Sequence, residues 1–272
     1  MPQPRANKRG DHPRDILADI AVVGGGLSGL SLAIACAAAG IETAVIDRED
    51  PAKFRDDGRT TAIAYGSQQV LNGIGVWDAV SPYAEAIREI RVVDGNSPLF
   101  LHYDRAEIDA EALGYIVENR ILRAALQARA EALPRLTLYA PSTVEAVEFG
   151  ETHARLSLGG GRGIAAALVV GADGRNSPMR EAAGIKTWRK SYRQAAIVCV
   201  VRHEKPHRGV AVEHFRAAGP FAILPMQGNR SSIVWTEEEQ EAPLLLALDD
   251  KTFARQLAGR FGDFLGRVEP EP

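Results

Sequence analysis

An α/β architecture is what this sequence predicts: a Rossmann-like βαβ domain on a parallel sheet, with an antiparallel β-sheet lobe inserted into it. Three observations carry that expectation. A short apolar run at residues 19–23 meets Gly24-Gly25-Gly26-Leu27-Ser28-Gly29 and then a small, apolar, Pro-free segment. A second apolar run, Thr43–Ile46, follows and ends in an acid, Asp47. Far downstream, Leu168-Val169-Val170 meets another glycine-bearing turn, and beyond it come four runs of strand-like composition.

Gly24, Gly26 and Gly29 stand at G-x-G-x-x-G spacing, the dinucleotide fingerprint. The first glycine permits the tight turn, the second lets a pyrophosphate approach the backbone, and the third lets the helix pack closely on the strand. The helix start then offers unpaired N–H groups and a partial positive charge to phosphates. Residues 30–39 suit a buried helix, with Gly40 placed to close it. Asp47 lies 21 positions beyond Gly26, close to the spacing of ~20 for the acid that accepts hydrogen bonds from a ribose. A carboxylate there suits free ribose hydroxyls and repels a 2′-phosphate, which favours FAD or NAD over NADP at this position. Ordinary glycine turns and a surface acid ending a strand are the plain alternatives; strand, turn, helix, strand and acid in register favour the nucleotide.

At 272 residues the chain exceeds the usual single-core size, so two packed lobes are expected. A formal net charge of −3 gives no electrostatic case for nucleic acid. Cys36 and Cys199 fit neither a disulfide framework nor a zinc site, and no apolar run reaches the ~18 residues that span a bilayer. Residues 1–17 read as a loose, disordered tail without the apolar segment of a signal peptide. A cytoplasmic setting is expected.

Along the rest of the chain, a helical stretch surrounds residues 67–71, residues 87–93 read as a strand and Asp94-Gly95-Asn96-Ser97 as a turn. Residues 118–133 form a helix with Ile121, Leu122, Ala125, Leu126 and Ala130 on one face. Strands follow at residues 137–139, Val144–Phe149 and 156–158, the last leading into a hairpin at Gly159-Gly160-Gly161. The run from Leu168 reaches Gly171-Ala172-Asp173-Gly174-Arg175-Asn176-Ser177-Pro178, where Ser177 is a good N-cap and Pro178 suits the first helical position. The plain reading of Asp173-Gly174 is a tight turn. Strands at residues 195–202, Val210–Phe215, 221–226 and 231–236 build the antiparallel lobe, and an amphipathic helix over residues 250–265 carries Phe253, Leu257, Phe261 and Leu265. His203 and His207 share an i, i+4 spacing, but Pro206 argues against a helix there and so against a metal pair.

With both glycine motifs in view, the chain resembles the FAD-dependent aromatic hydroxylases of the p-hydroxybenzoate hydroxylase type, and within them the ubiquinone-biosynthesis hydroxylases. Asp57-Gly58-Arg59-Thr60-Thr61-Ala62, Tyr192-Arg193-Gln194-Ala195 and Phe215-Arg216-Ala217-Ala218-Gly219-Pro220 leading to Leu224-Pro225-Met226 carry the resemblance, with Val234-Trp235. It implies an FAD-binding domain over 18–86 and 104–186, a substrate-binding sheet over 87–103 and 187–249, and the amphipathic helix and chain end at 250–272. It implies that Gly24, Gly26 and Gly29 hold the FAD pyrophosphate and Asp47 the adenosine ribose, with Leu27, Ser28 and Arg48 as further cofactor-binding residues. Arg59 and Arg120 would lie along the cofactor, with solvated surface arginines as the plain alternative. Asp173 and Gly174 match the motif associated with FAD and with the NAD(P)H reductant, while Arg175 and Arg180 are expected to offset nearby carboxylates. Phe215, Phe221, Met226 and Trp235 are apolar candidates for a pocket wall or for core.

The reaction the resemblance implies is hydroxylation of an aromatic, polyprenylated ubiquinone precursor. NAD(P)H reduces FAD, O₂ adds to it as a flavin hydroperoxide, and the distal oxygen passes to the ring. No metal and no acid–base dyad is required, because the cofactor carries the difficult chemistry. Other ubiquinone-biosynthesis proteins and peripheral contact with the inner membrane are further expectations of that chemistry. A halogenase or polyprenyl reductase of the same fold, and a truncated non-catalytic member of a ubiquinone biosynthetic complex, are the alternatives. The third motif of such enzymes, a Gly-Asp followed by His-Pro, does not occur here, so a fragment or truncated product is expected.

Overall fold

The computed structural model describes residues 15–53 and 58–271. In chain order it begins β1 (Asp15–Val23), α1 (Leu27–Ala38), β2 (Thr43–Ile46), β3 (Thr60–Ala64), α2 (Tyr65–Gly73), α3 (Trp77–Val80), β4 (Glu85–Ile87), β5 (Glu89–Asp94) and β6 (Phe100–Asp104). The middle comprises β7 (Gly114–Glu118), α4 (Asn119–Glu131), β8 (Leu136–Tyr139), β9 (Val144–Phe149), β10 (Ala154–Leu158), β11 (Arg162–Gly171) and α5 (Pro178–Ala182). It ends with β12 (Gln194–His203), β13 (Val210–Phe215), β14 (Pro220–Met226), β15 (Arg230–Glu238), α6 (Ala242–Leu246), α7 (Asp250–Phe261) and β16 (Val268–Pro270).

Two compact units result. The first takes the chain through residue 53 and then Leu126–Thr187; the second takes the described residues up to Ala125 and from Trp188 onward. In the first unit six strands are ordered β8-β2-β1-β11-β10-β9, with β8, β2, β1 and β11 parallel and β10 and β9 antiparallel. All four residues of β2 are buried: Ala44, Val45 and Ile46 are apolar, and the Thr43 hydroxyl donates to the Ile41 carbonyl (3.0 Å). Helix α1 buries Gly29, Leu30, Ala33, Ile34 and Ala37, and Gly40 follows its C-cap with φ +87°, the left-handed residue that stops the helix. Ala21, Val23, Ala44, Ile46, Leu156, Leu158, Ile164 and Ala166 form a core of this unit.

The second unit holds a seven-stranded sheet, β16-β12-β15-β14-β13-β5-β6, and a three-stranded sheet, β3-β7-β4. β12 to β15 pair antiparallel, as the turn residues between β13, β14 and β15 predict for those three, whereas β5 joins β13 in parallel. Phe221, Ile233 and Trp235 of the sheet pack with Leu257 and Phe261 of α7 and with Leu265 in one buried cluster. Trp235 meets Phe221 edge-on and Phe253 at a tilt.

The structure departs from the sequence expectations at several points. The tail ends earlier than residue 17: Asp15, Ile16 and Leu17 lie in β1, paired with Gly163, Ile164 and Ala165 of β11, while residues 1–14 lie outside the described set. Residues 58–86 and 104–125 group with the second unit, because β3, β4 and β7 form a separate sheet instead of extending the parallel one. The chain end groups there as well, since α7 buries Leu257 and Phe261 in that unit's core and β16 pairs with β12. Finally, the strand expected over residues 87–93 is split at Arg88, whose N–H binds the Gly209 carbonyl (2.8 Å), so β4 joins one sheet and β5 the other. α7 stops at Phe261 because Gly262 adopts φ +82°, although Leu265 beyond it is still buried.

Candidate functional site

The carboxyl ends of β2, β1 and β11 are adjacent, and each runs into one of the segments singled out by the sequence. Gly24 N–H donates to the Ile46 carbonyl (2.8 Å), and Ala172 N–H donates to the Val23 carbonyl (2.7 Å). The Gly24–Gly29 turn, Asp47 and Ala172-Asp173-Gly174 are therefore held side by side at the place where open α/β sheets bind ligands. Gly24 has φ +110°, and a Cβ there would lie 2.2 Å from the Ala172 carbonyl oxygen, so the turn admits only glycine.

Asp47 closes the site from the other side. Its Oδ2 accepts the Gly25 N–H and its Oδ1 accepts the Glu49 N–H (2.7 Å). Two carboxylate oxygens offer about four acceptor positions, so ribose hydroxyls can share this group with the backbone. Gly25 is a contact the fingerprint rule does not specify; it aims the acid toward the turn. Arg48, next in the chain, is exposed.

Gly26 is the N-cap of α1 and behaves oppositely to Gly24. A Cβ there would meet nothing within 4 Å, so its missing side chain faces open space. No side chain caps the helix and its first turn holds no acid. The N–H groups of Leu27, Ser28 and Gly29 stand in that first turn, where α-helical geometry supplies no partner. An anion is the natural partner of such a helix start.

At the end of β11, Asp173 Oδ2 accepts the Met179 N–H (2.9 Å), and Ser177 Oγ caps α5 by accepting the Arg180 N–H (2.9 Å). Asp173 Oδ1 is buried and has no hydrogen-bond partner among the described residues. An unsatisfied buried acceptor is costly, and here it borders a cavity of ≈ 370 Å³ that Gly174, Ser177, Met179 and Ile185 also line. The expectation that Arg175 and Arg180 offset carboxylates is not met among the described residues. Arg180 Nη2 instead donates to the Arg175 carbonyl (2.9 Å).

Arg59 and Arg120 belong to the second unit. The Arg59 carbonyl accepts the Asn119 N–H (2.9 Å). Arg120 Nε binds Glu118 Oε2 at 2.7 Å, and Glu118 Oε1 accepts Arg230 Nη1 at 3.3 Å. Of the four pocket-wall candidates, Phe221, Met226 and Trp235 are core residues, whereas Phe215 is exposed. Asp57, within the segment quoted for the resemblance, lies outside the described residues. His203 and His207 are buried with both ring nitrogens used: His203 with the Lys205 carbonyl and Ser231 Oγ, His207 with the Met226 carbonyl and the Gly209 N–H. Their pairing is a hydrogen-bonded core feature.

The family model of the FAD binding domain matches residues 17–271. The chain belongs to this FAD-binding family. Within it, the chain is 51% identical to the ubiquinone hydroxylase UbiL of Rhodospirillum rubrum over 259 residues, covering 94% of this chain and 60% of that protein. It is 34% identical to the 3-demethoxyubiquinol 3-hydroxylase of Escherichia coli, covering 93% of this chain and 66% of that protein. The chain thus spans somewhat less than two thirds of these relatives. Among solved structures, PqsL of Pseudomonas aeruginosa superimposes with a TM-score of 0.75 at 19% identity, covering 94% of this chain and 73% of PqsL. The p-nitrophenol 4-monooxygenase PnpA of Pseudomonas putida DLL-E4 gives 0.74 at 16%, covering 95% and 67%. At such identities these two establish the shared α/β fold.

FAD is the cofactor this family implies, and the first unit's residues fit it. The open space at Gly26 and the uncapped α1 start are features that a dinucleotide would satisfy. No helix of the described residues is long and apolar enough to cross a membrane.

Proposed function

We propose that the chain is the FAD-binding part of a monooxygenase that hydroxylates an aromatic ubiquinone precursor with NAD(P)H and O₂. The observation that carries the cofactor half is the convergence of Gly26, Asp47 and Asp173 at adjacent strand ends. The names of the relatives, ubiquinone hydroxylases among them, support the substrate half. Bound FAD would supply reduction by NAD(P)H and activation of O₂.

In this reading the chain's own residues bind and orient. The α1 N–H groups of Leu27, Ser28 and Gly29 face the pyrophosphate, and Gly26 leaves room for it. Asp47, held toward the turn by the Gly25 N–H, accepts from the adenosine ribose. Asp173 Oδ1 takes a donor from the ligand, which relieves its burial without a partner. Arg59 and Arg120 are carried over from the resemblance as further cofactor contacts. The substrate is a polyprenylated ring, which brings the protein to the face of a membrane and beside other enzymes of ubiquinone assembly.

The test is direct. The purified chain is loaded with FAD, and NAD(P)H consumption is followed with a short-chain precursor analogue under isotopically labelled O₂. A product carrying one labelled oxygen supports the reading. Protein that takes up FAD but never oxygenates the ring refutes the substrate half alone; protein that cannot be loaded with FAD refutes the cofactor half.

A further inference from the structure

Helix α7 presents two faces. Phe253, Leu257 and Phe261 turn into the core, while Thr252, Arg255, Gln256, Gly259 and Arg260 recur at i, i+3, i+4, i+7 and i+8 along another stripe. That stripe and Arg216, from the loop after β13, line one cleft of ≈ 530 Å³.

The charges in this cleft are unequally satisfied. Arg260 is fixed: its Nη2 pairs with Glu237 Oε1, and its guanidinium lies 4.8 Å from the centre of the Trp235 ring. Trp235 Nε1 donates to the same Glu237 oxygen (3.0 Å), so the pair is braced from the core. Arg255 Nη2 donates only to Thr252 Oγ1 (3.1 Å), and the Arg216 guanidinium makes no ion pair or hydrogen bond among the described residues. Asp249, the other nearby acid, is turned into the start of α7, where it accepts Lys251 N–H, Thr252 N–H and Thr252 Oγ1. Three guanidinium groups against Glu237 and Asp249, whose carboxylate also acts on Arg255, leave an excess of about one positive charge, carried on the Arg216 and Arg255 side of the cleft, where an anionic phosphoryl group would be attracted.

Gly259 adds an independent reason. A glycine inside a helix costs stability relative to alanine, and packing does not demand one here. A Cβ at Gly259 would meet nothing within 4 Å, so the glycine leaves the middle of the cleft open between Arg255 and Arg260.

We propose that the Arg216–Arg255–Arg260 cleft binds a phosphoryl group. Planar guanidinium forks match phosphate oxygens in pairs, and the cleft is large enough for a diphosphate or a phospholipid headgroup. The site does not rest on the oxygenase reading, because its residues take no part in the proposed FAD contacts.

The experiment titrates the full chain with inorganic pyrophosphate by calorimetry and floats it with vesicles of phosphatidylcholine, with and without phosphatidylglycerol. Binding is expected, with a loss of about tenfold or more in the double variant Arg216→Gln/Arg255→Gln, since each lost guanidinium removes charge-assisted bonds. Gly259→Leu, which fills the cleft while favouring the helix, should weaken binding likewise. FAD absorbance of the same samples should stay unchanged, which separates this site from the nucleotide site. Pyrophosphate binding without vesicle binding assigns the site to a soluble phosphate ester. Retention on anionic vesicles alone, competed by pyrophosphate, assigns it to a lipid headgroup. No binding of either probe by the unaltered chain, or equal binding by the arginine variant, overturns the proposal.

Discussion

Gly29 packs against the carbonyl of Gly24 so closely that a Cβ on it would lie 1.9 Å from that oxygen. Two glycines of the same fingerprint therefore do different work. Gly29 is required by the fold, whereas Gly26, whose Cβ would be unobstructed, is free to serve a ligand. Gly29→Ala should destabilise the protein by roughly 1–3 kcal/mol through overpacking. Gly26→Ala should leave the melting temperature nearly unchanged and lower FAD affinity about tenfold, ~1.4 kcal/mol. Thermal melts and flavin titrations on both variants check this; equal destabilisation by the two would sink it.

How far the sequence reveals this site depends on whether a feature is local. β2 was readable because three apolar residues, Ala44, Val45 and Ile46, follow β-branched Thr43 in a wholly buried strand. Asp47 was readable because the spacing from Gly26 is set by one βαβ unit. The first half of β11 was not, since residues 162–167 are alanine-rich and carry no strand signal of their own; their strand form comes from pairing with β1 and with β10. The break at Arg88 depends on Gly209, a distant residue that no window around Arg88 contains. The arginine cleft escaped for the same reason: a stripe on α7 acquires its meaning only beside Arg216.

Asp47→Ala removes the acceptor for both the Gly25 and Glu49 N–H groups. Hydrogen bonds to a charged group contribute about 1.5–3 kcal/mol each, so FAD affinity should fall between about tenfold and a hundredfold. Asp47→Asn, which keeps one oxygen, should lose less. Fluorescence quenching of added FAD measures both, and an Asp47→Ala protein with unaltered affinity removes the ribose role.

Asp173→Ala sets a lost bond to the Met179 N–H against relief of the orphaned Oδ1. These two effects are each of order 1–3 kcal/mol and opposed, so the ligand-free protein should melt within a few degrees of the parent. The stabilisation that FAD confers on the parent should shrink in the variant, because the ligand no longer finds its acceptor. Differential scanning with and without FAD tests it. An undiminished FAD shift would place Asp173 outside the binding site.

His203 predicts a pH dependence. Burial holds its imidazole below the ordinary 6.5, with His207 opposing protonation and the Lys205 carbonyl partly favouring it. The unfolded chain therefore binds the proton first, and stability rises with pH across that range. Its contribution is complete above the unfolded value and is lost as pH falls through the lower, folded one. Urea midpoints should drop as pH is lowered from 7 through 6.5 and below, and His203→Gln should flatten the slope. A slope unchanged by that substitution assigns the dependence to other groups.

Cys199 sits on β12 opposite Ile233, where burial pushes its thiol up to about 11. Only the thiolate attacks an alkylating agent, and an ordinary cysteine ionises near 8.5. At pH 8 about one Cys199 in a thousand would then be ionised in the fold, against roughly a quarter in an unfolded chain. Iodoacetamide should modify the Cys199 peptide in urea and leave it nearly untouched in the native protein, a rate ratio of about a hundred or more. Mass spectrometry of timed digests reads that ratio directly. Equal rates in the two states would mean that β12 opens readily at its centre, and the sheet of the second unit would be far less stable than its buried pairing of β12 with β15 implies.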